Sequence, residues 1–234
     1  MAQPQRDMRR AALRASPLFQ AMQPDELDAI LEFAIERRAR RGQIVFQKGD
    51  IGSSLMAVLI GRVRISAVNA EGKEITLNVI DPGQVFGEIA LLDGQPRSAD
   101  ATAIEDTTLL VIERRHFMPF LASNHNLTAR MLAVLCERLR STSIALEQIA
   151  LFDLEARLAR LILKLAADYG KPTADGMRIE LKLSQRDISN LVAASRESVN
   201  KQLAEWRDSG VLTFDSGYIT LHESNALQAL VEPR

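Results

Sequence analysis

Hydrophobic positions change their spacing twice along this chain. From residue 24 to 36, after a proline in the position that opens helices, apolar side chains recur every three or four residues and predict a short amphipathic helix. Apolar residues then gather in short β-branched runs separated by Gly and Pro-Gly, at 44–46, 55–60, 63–67, 75–80 and 108–112. Short strands with turn signals at this density predict an antiparallel sandwich or jelly roll.

A long helix is predicted next, because the stretch from about 124 to 152 contains neither Gly nor Pro. Its apolar stripe consists of Leu127, Met131, Val134, Leu135, Leu139, Leu146 and Ile149. Arg138 and the Ser-Thr-Ser run at 141–143 fill two gaps in that stripe. A stripe that continues past a small domain favours pairing with a second copy of the helix, as in coiled coils. An ordinary helix packed on its own domain remains the alternative.

The C-terminal third predicts a second domain. A helix at 153–169 stops at Gly170 with Pro172 two residues on, and two short helical patterns follow within 183–207. Ser184 can cap the first of these with Asp187 reaching back, and Ser195 can cap the second after an Ala-Ala turn. Two short helices joined by small residues predict a helix-turn-helix, which places its second helix in a DNA major groove.

The outward face of that second helix carries Arg196, Glu197, Asn200 and Lys201. Arg can grip guanine O6 and N7 together, and Glu can accept from cytosine N4. The same four residue types also occur on any solvated helix face, so this pattern alone leaves both interpretations open.

Composition narrows the class of protein. The 234 residues can form two modest cores, and the formal net charge of −1 means that DNA binding must come from a local basic face. No apolar run reaches the roughly 18 residues of a membrane span, and the N-terminus lacks the apolar core of a signal peptide. We therefore expect a cytoplasmic protein without a membrane partner.

Metal and enzyme chemistry are not expected. Cys136 is the single cysteine, and the three histidines at 116, 125 and 222 have no ligand spacing. The sequence has no nucleophile–base pair and no phosphate-loop motif. We expect no metal, no catalytic residue and no enzymatic activity.

Residues 85–103 carry the most specific chemistry. Gly87 allows a backbone N–H to approach a ligand oxygen, Glu88 can accept from a ribose hydroxyl, and Arg97 offers forked donors to a phosphate. Ser98 and the N–H of Ala99 can complete the cradle. This combination suits a cyclic phosphate, and a plain hairpin turn with a solvated Glu and Arg is the alternative.

The same stretch resembles the phosphate-binding cassette of cyclic-nucleotide-binding domains. The resemblance rests on the run Phe86-Gly87-Glu88-Ile89-Ala90-Leu91, a gap of five residues, and Arg97-Ser98-Ala99-Asp100-Ala101-Thr102-Ala103. The glycine pattern at 44–52, followed by residues 55–58 and Gly61, is also similar to that family, although Ala57 is smaller than usual. The resemblance implies nucleotide contacts from Phe86, Gly87, Glu88, Ile89, Ala90, Arg97, Ser98 and Ala99.

The run Ser195-Arg196-Glu197-Ser198-Val199 after an Ala-Ala turn resembles the recognition helix of the cyclic AMP receptor protein (CRP/FNR) family of bacterial transcription regulators. A hairpin pattern at 211–221 resembles its wing, and the similarity covers about residues 17–222. It implies an α+β fold with a β-roll (jelly roll) and flanking helices at 1–122, a dimerisation helix at 123–152 and a winged helix-turn-helix at 153–234.

The resemblance implies a homodimeric transcription regulator that depends on a cyclic nucleotide. The first candidate is cAMP, and the second is cGMP. The implied partners are palindromic double-stranded DNA and, as a further candidate, RNA polymerase. The implied purine contacts are Thr142 and Ser143, one from each subunit. The implied DNA contacts are Ser184, Ser195, Arg196, Glu197, Ser198, Asn200 and Lys201.

Some positions depart from the family. The N-terminal cysteines of its iron–sulfur members are absent, and haem ligands cannot be placed. Lys201 stands where Arg is common, which weakens a bidentate base contact and favours a phosphate contact. A nucleotide-binding regulatory protein whose C-terminal helices dock another protein, and not DNA, is the alternative function.

Overall fold

The computed structural model describes residues 3–20 and 22–231, which form two compact units. One unit contains the chain up to residue 73 together with 77–141, and the other contains 74–76 and the chain from 142 onward. The first elements in chain order are α1 (Gln3–Arg14), α2 (Pro24–Phe33), β1 (Ile35–Ala39), β2 (Ile44–Phe46), β3 (Ser54–Ile60), β4 (Val63–Val68), β5 (Glu74–Ile80), β6 (Val85–Phe86), α3 (Glu88–Asp93), β7 (Asp100–Ala103), β8 (Thr107–Glu113), α4 (Arg114–Ser123) and α5 (His125–Leu151). The later elements are α6 (Leu154–Tyr169), β9 (Gly170–Thr173), β10 (Gly176–Ile179), α7 (Gln185–Leu191), α8 (Arg196–Asp208), β11 (Leu212–Asp215), β12 (Tyr218–Leu221) and α9 (Ser224–Ala229).

The first unit is a β-roll of two four-stranded sheets, ordered β1-β8-β3-β6 and β2-β7-β4-β5. The predicted jelly roll is confirmed. Strand β3 is apolar along most of its length because both of its faces are covered. Met56 and Val58 join the core between the sheets, while Leu55 and Ala57 pack under the flanking helices. Ala57 is buried, so the smaller side chain is accommodated there.

Helices cover the outer face of the first sheet. Phe19, which follows α1, meets Phe117 of α4 edge to face at 6.4 Å, and Leu127 and Met131 of α5 join the same core. Arg9 of α1 donates to Glu36 of β1 at 2.9 Å, and this hydrogen bond lowers the pKa of the Glu36 carboxyl.

The helix predicted over 24–36 ends earlier, at Phe33. Ala34 is extended and buried, and Ile35–Ala39 forms β1, which pairs antiparallel with β8 from Ile35↔Val111 to Ala39↔Thr107. Pairing with β8 gives the backbone N–H and C=O groups of β1 their hydrogen-bond partners, which a longer helix would otherwise have supplied. The charged sequence Ile-Glu-Arg-Arg-Ala gives no alternating pattern that would have revealed this strand.

The predicted long helix is confirmed as α5, but its apolar residues serve two faces. Leu127 and Met131 are buried in the β-roll core, and Val134 packs against it. Leu139, Leu146 and other apolar side chains farther along are exposed. The stripe read from the sequence therefore combines a packing face with a separate exposed face.

The second unit surrounds its own core with helices and the sheet β11-β12-β10-β9. Asp153 caps α6 by accepting from the N–H of Ala156 at 2.9 Å. The β9–β10 hairpin lies immediately after α6, where the sequence predicted only a helix stop. Ser216 and Gly217 connect β11 and β12 with φ values of 52° and 90°, as a two-residue type I′ hairpin requires.

No helix within residues 3–20 and 22–231 combines the length and apolar character needed to cross a membrane.

Candidate functional site

Two glycines shape the cassette between β6 and α3. Gly87 has φ +80°, and a Cβ added there would lie 2.6 Å from Nη1 of Arg97. A Cβ on Gly52, in the loop before β3, would lie 2.1 Å from the Cβ of Ala90. Both positions therefore need glycine because α3 and Arg97 approach the backbone closely.

Arg97 lies inside the first unit and is 4% exposed. Its Nη1 donates to the Gly87 carbonyl at 2.8 Å, and its Nη2 donates to the carbonyl and hydroxyl oxygens of Ser54 at 2.9 and 3.0 Å. The guanidinium carbon lies 4.3 Å from the centroid of the Phe46 ring. Within residues 3–20 and 22–231, its buried Nε has no hydrogen-bond partner. Burial lowers the Arg97 pKa, although Glu88 and Asp50 act in the opposite direction.

Glu88 is fully buried and forms an ion pair with Arg138 of α5 through Oε1. Arg138 also donates to the carbonyl of Val85, so it holds both the end of β6 and the start of α3. The second carboxylate oxygen, Oε2, is buried and has no hydrogen-bond partner among the described residues. The sequence showed Arg138 only as a gap in an apolar stripe, and nothing in its spacing pointed to Glu88.

The cassette therefore gathers a buried cation and a buried carboxylate, each with one unsatisfied atom. Nε of Arg97 can only donate, and Oε2 of Glu88 can accept. Phe86, Ala90 and Ala99 are buried around them, while Ser98 and Ile89 are exposed. An anionic acceptor would suit Nε of Arg97, and a hydroxyl donor would suit Oε2 of Glu88.

Thr142 and Ser143 are exposed on α5 and belong to the second unit. They follow Arg138 on this helix by four and five residues.

In the second unit, the predicted helix-turn-helix is confirmed as α7 and α8. Ser184 accepts from the Asp187 N–H at 3.1 Å while the Asp187 carboxylate accepts from the Ser184 N–H at 2.8 Å, which completes the expected capping box. Ala193 turns the chain with φ 51°, and Ser195 caps α8 by accepting from the Ser198 N–H at 3.0 Å.

The exposed face of α8 differs from the prediction at one position. Arg196, Glu197, Ser198 and Lys201 are exposed, as are the caps Ser184 and Ser195. Asn200 is half-buried, and its Oδ1 is enclosed with no hydrogen-bond partner in the described part of the chain. It lies beside the buried Val199 and one turn from the buried Leu203, so the helix turns Asn200 partly toward the core. Asn200 is therefore less exposed than its neighbours on this face, and its contact with DNA stays a prediction.

No cluster of three or more His, Cys, Asp or Glu side chains suited to a metal ion occurs within residues 3–20 and 22–231.

Comparisons with known proteins match both parts of the chain. The family model "Cyclic nucleotide-binding domain" matches residues 36–124, and the "Crp-like helix-turn-helix domain" matches residues 156–230. A cyclic AMP receptor protein from Thermus thermophilus is 30% identical over 218 residues, which cover 93% of this chain and 98% of that protein. A CRP-like cAMP-activated global transcriptional regulator from Mycobacterium tuberculosis is 29% identical and covers 92% and 96% of the two chains.

Among solved structures, a transcriptional regulator of the CRP/FNR family from Thermus thermophilus matches with a TM-score of 0.71 and 27% identity. The match covers 86% of this chain and 100% of the chain in that structure. These relatives are transcription regulators, which does not favour a C-terminal unit that docks only protein. The chain belongs to the cyclic AMP receptor protein (CRP/FNR) family of bacterial transcription regulators.

Proposed function

We propose that this regulator binds a cyclic nucleotide, cAMP or as a second candidate cGMP, in the cassette of its first unit. The pair of unsatisfied buried atoms carries this proposal. The Nε of Arg97 would donate to the cyclic phosphate, and Oε2 of Glu88 would accept from the ribose hydroxyl. Unpaired buried polar groups cost free energy, which a ligand that satisfies both would recover on binding.

The other cassette residues have supporting roles in the proposal. Gly87 and the N–H groups of Ser98 and Ala99 would complete the phosphate cradle, and Phe86, Ile89 and Ala90 would shape its walls. Thr142 and Ser143 would meet the purine, one from each subunit. A hydroxyl can accept from an adenine amino group or donate to a guanine O6, so both purines remain candidates.

The active molecule is proposed to be a homodimer formed through α5. Six side chains follow the alternating spacing of three and four residues that a parallel coiled coil uses: Leu132, Leu135, Leu139, Thr142, Leu146 and Ile149. Leu139 is 68% exposed and Leu146 is 67% exposed, and a second α5 helix packed on the seam would bury this apolar surface. We call these six residues the α5 seam.

Two copies of α8 would then read a two-fold palindrome with half-site centres about one helical turn apart. Arg196 and Glu197 are the candidates for base edges, and Lys201 with Ser184, Ser195 and Ser198 for phosphates. RNA polymerase is a further proposed partner, and the proposed compartment is the cytoplasm. Nucleotide would favour the DNA-binding arrangement because it binds that arrangement more tightly.

The nucleotide assignment is tested by calorimetric titration with cAMP, cGMP and linear 5′-AMP. We expect at least one cyclic nucleotide to bind more tightly than 5′-AMP, because the proposal assigns a cyclic phosphate to the cradle. Arg97→Leu should lose roughly 2 to 5 kcal/mol of binding free energy, as truncating one side of a buried charge pair does. Failure of both cyclic nucleotides to bind, or equal affinity in Arg97→Leu, would refute the assignment.

A further inference from the structure

Nη2 of Arg97, the guanidinium nitrogen that takes part in either two-point contact with a phosphate, already donates hydrogen bonds to Ser54. An arginine grips a phosphate through one of two forked edges, Nε with Nη2 or Nη1 with Nη2, so Nη2 belongs to both. In this structure Nη2 donates to the carbonyl oxygen of Ser54 at 2.9 Å and to its hydroxyl oxygen at 3.0 Å. A two-point grip on a phosphate therefore draws on a nitrogen that Ser54 holds.

We propose that the Ser54 hydroxyl competes with the cyclic phosphate for Nη2 of Arg97 and thereby limits the affinity of the cassette for nucleotide. This inference rests on the proposed function, in which Arg97 binds that phosphate. It gives Ser54, which the sequence comparison with the family did not single out, the role of a positioning residue that acts through Arg97.

The local packing fixes the backbone that carries Ser54. Ser54 opens β3 in register with Glu113 of β8, and the neighbouring Ser53 carbonyl accepts from the Arg114 N–H at 2.8 Å. Gly52, on the other side, packs so closely against Ala90 that an added Cβ would overlap it. The backbone at Ser54, and with it the carbonyl that accepts from Arg97, is therefore fixed between the sheet and α3, while the Arg97 side chain has rotatable bonds.

The charges favour the exchange once an anion is present. Arg97 is a buried cation whose hydrogen-bond acceptors, the Gly87 carbonyl and the two Ser54 oxygens, are all neutral. Burial lowers its pKa, in keeping with incomplete compensation of the charge. The bond to Ser54 has one ionised partner, the guanidinium, whereas a bond to phosphate has two, so phosphate is the stronger acceptor for Arg97.

The test compares two serines that are adjacent in the chain. Ser54→Ala removes the competing hydroxyl and keeps the carbonyl, whereas Ser53→Ala changes an exposed neighbour. Calorimetry with cAMP should show Ser54→Ala binding about threefold to tenfold more tightly, the range for losing one modest hydrogen bond in the free state. Ser53→Ala and Ser54→Thr, which keeps a hydroxyl at 54, should bind as the wild type does.

A second variant guards against misfolding of the first. Ser54→Cys keeps the side-chain volume but offers a weak acceptor, and it should also tighten binding. The melting temperature of both variants should fall without nucleotide and approach that of the wild type at saturating cAMP, because the lost bond exists only in the free protein.

Weaker or unchanged cAMP affinity in Ser54→Ala and Ser54→Cys would overturn the competition. If the wild type binds cAMP and Arg97→Leu does not, that result leaves the nucleotide assignment intact. If the wild type binds no cyclic nucleotide, the assignment and the competition both fail.

Discussion

At the scale of single residues, the cassette contains two buried charged side chains that each have an unsatisfied polar atom. Arg97 and Glu88 are nearly or fully excluded from solvent, and each keeps one atom without a partner among the described residues. A folded protein seldom retains such atoms, because each costs free energy that packing must offset. Their opposite hydrogen-bonding character is what a nucleotide, anionic at the phosphate and hydroxylated at the ribose, would satisfy.

Arg138 is the ion-pair partner of the buried Glu88. Removing it should leave the buried side chain of Glu88 without that partner, so Arg138→Met should lower the free energy of unfolding by roughly 3 kcal/mol in urea denaturation. Glu88→Gln in the same background should recover part of that loss, because the neutral amide needs no counter-charge.

The matched control is Arg140→Met, on the same helix, whose side chain is exposed. It should change stability by less than about 0.5 kcal/mol. If Arg138→Met is as mild as Arg140→Met, or if Glu88→Gln adds its full cost to it, the ion pair does not hold the cassette.

At the scale of secondary-structure elements, α8 presents two kinds of cation. Arg196→Ala should relax the preference at a G·C pair by roughly 1 to 3 kcal/mol, because a forked base contact is lost. Lys201→Ala should weaken binding to all sequences alike and flatten the salt dependence by about one charge. Selection from random DNA and titration at several salt concentrations measure the two effects. A uniform loss for Arg196→Ala would mean that Arg196 only positions the protein on the phosphate backbone.

The proposed dimer through α5 leads to a separate prediction about oligomeric state. Leu139→Arg lies in the α5 seam and should convert the dimer to monomers in analytical ultracentrifugation, with loss of affinity for a palindromic site. Ile144→Arg is the control, because Ile144 is also exposed, at 53%, but lies outside the seam. Equal sedimentation of both variants and the wild type would contradict the α5 dimer.

The sequence predicted those elements whose signals are local. Strands such as β3 and β8 are apolar enough to identify alone, and the Ser184 and Ser195 caps mark their helices directly. The cassette motif likewise lies within one short segment.

Features that depend on distant partners were not predicted. Strand β1 forms because β8 offers an edge, and its charged sequence gives no period-2 pattern. The contact of Arg138 with Glu88 joins residues 50 positions apart, and the Ser54 contact with Arg97 joins residues 43 apart. Periodicity alone places the apolar residues of α5 on one face, because it does not separate residues that pack on the β-roll from residues that remain exposed.

At the scale of the whole molecule, the proposed function requires coupling between nucleotide and DNA. Thr142 lies in the α5 seam, and Ser143 follows it. Thr142→Ala or Ser143→Ala should reduce the nucleotide's effect on DNA affinity more than it reduces nucleotide binding, with roughly 1 to 3 kcal/mol of coupling lost. DNA dissociation constants with and without saturating nucleotide measure this effect. An unchanged ratio in both variants would mean that the hydroxyls only interrupt the seam.

Control of DNA binding by a cyclic nucleotide at Arg97 is tested by one comparison of DNA affinities. The dissociation constant for a selected palindromic DNA site is measured with and without cAMP, and with and without cGMP, for the wild type and for Arg97→Leu. We predict that at least one nucleotide tightens DNA binding of the wild type about tenfold or more, within the usual range of allosteric coupling, and has no effect on Arg97→Leu. Equal DNA affinity of the wild type with and without both nucleotides would contradict the account.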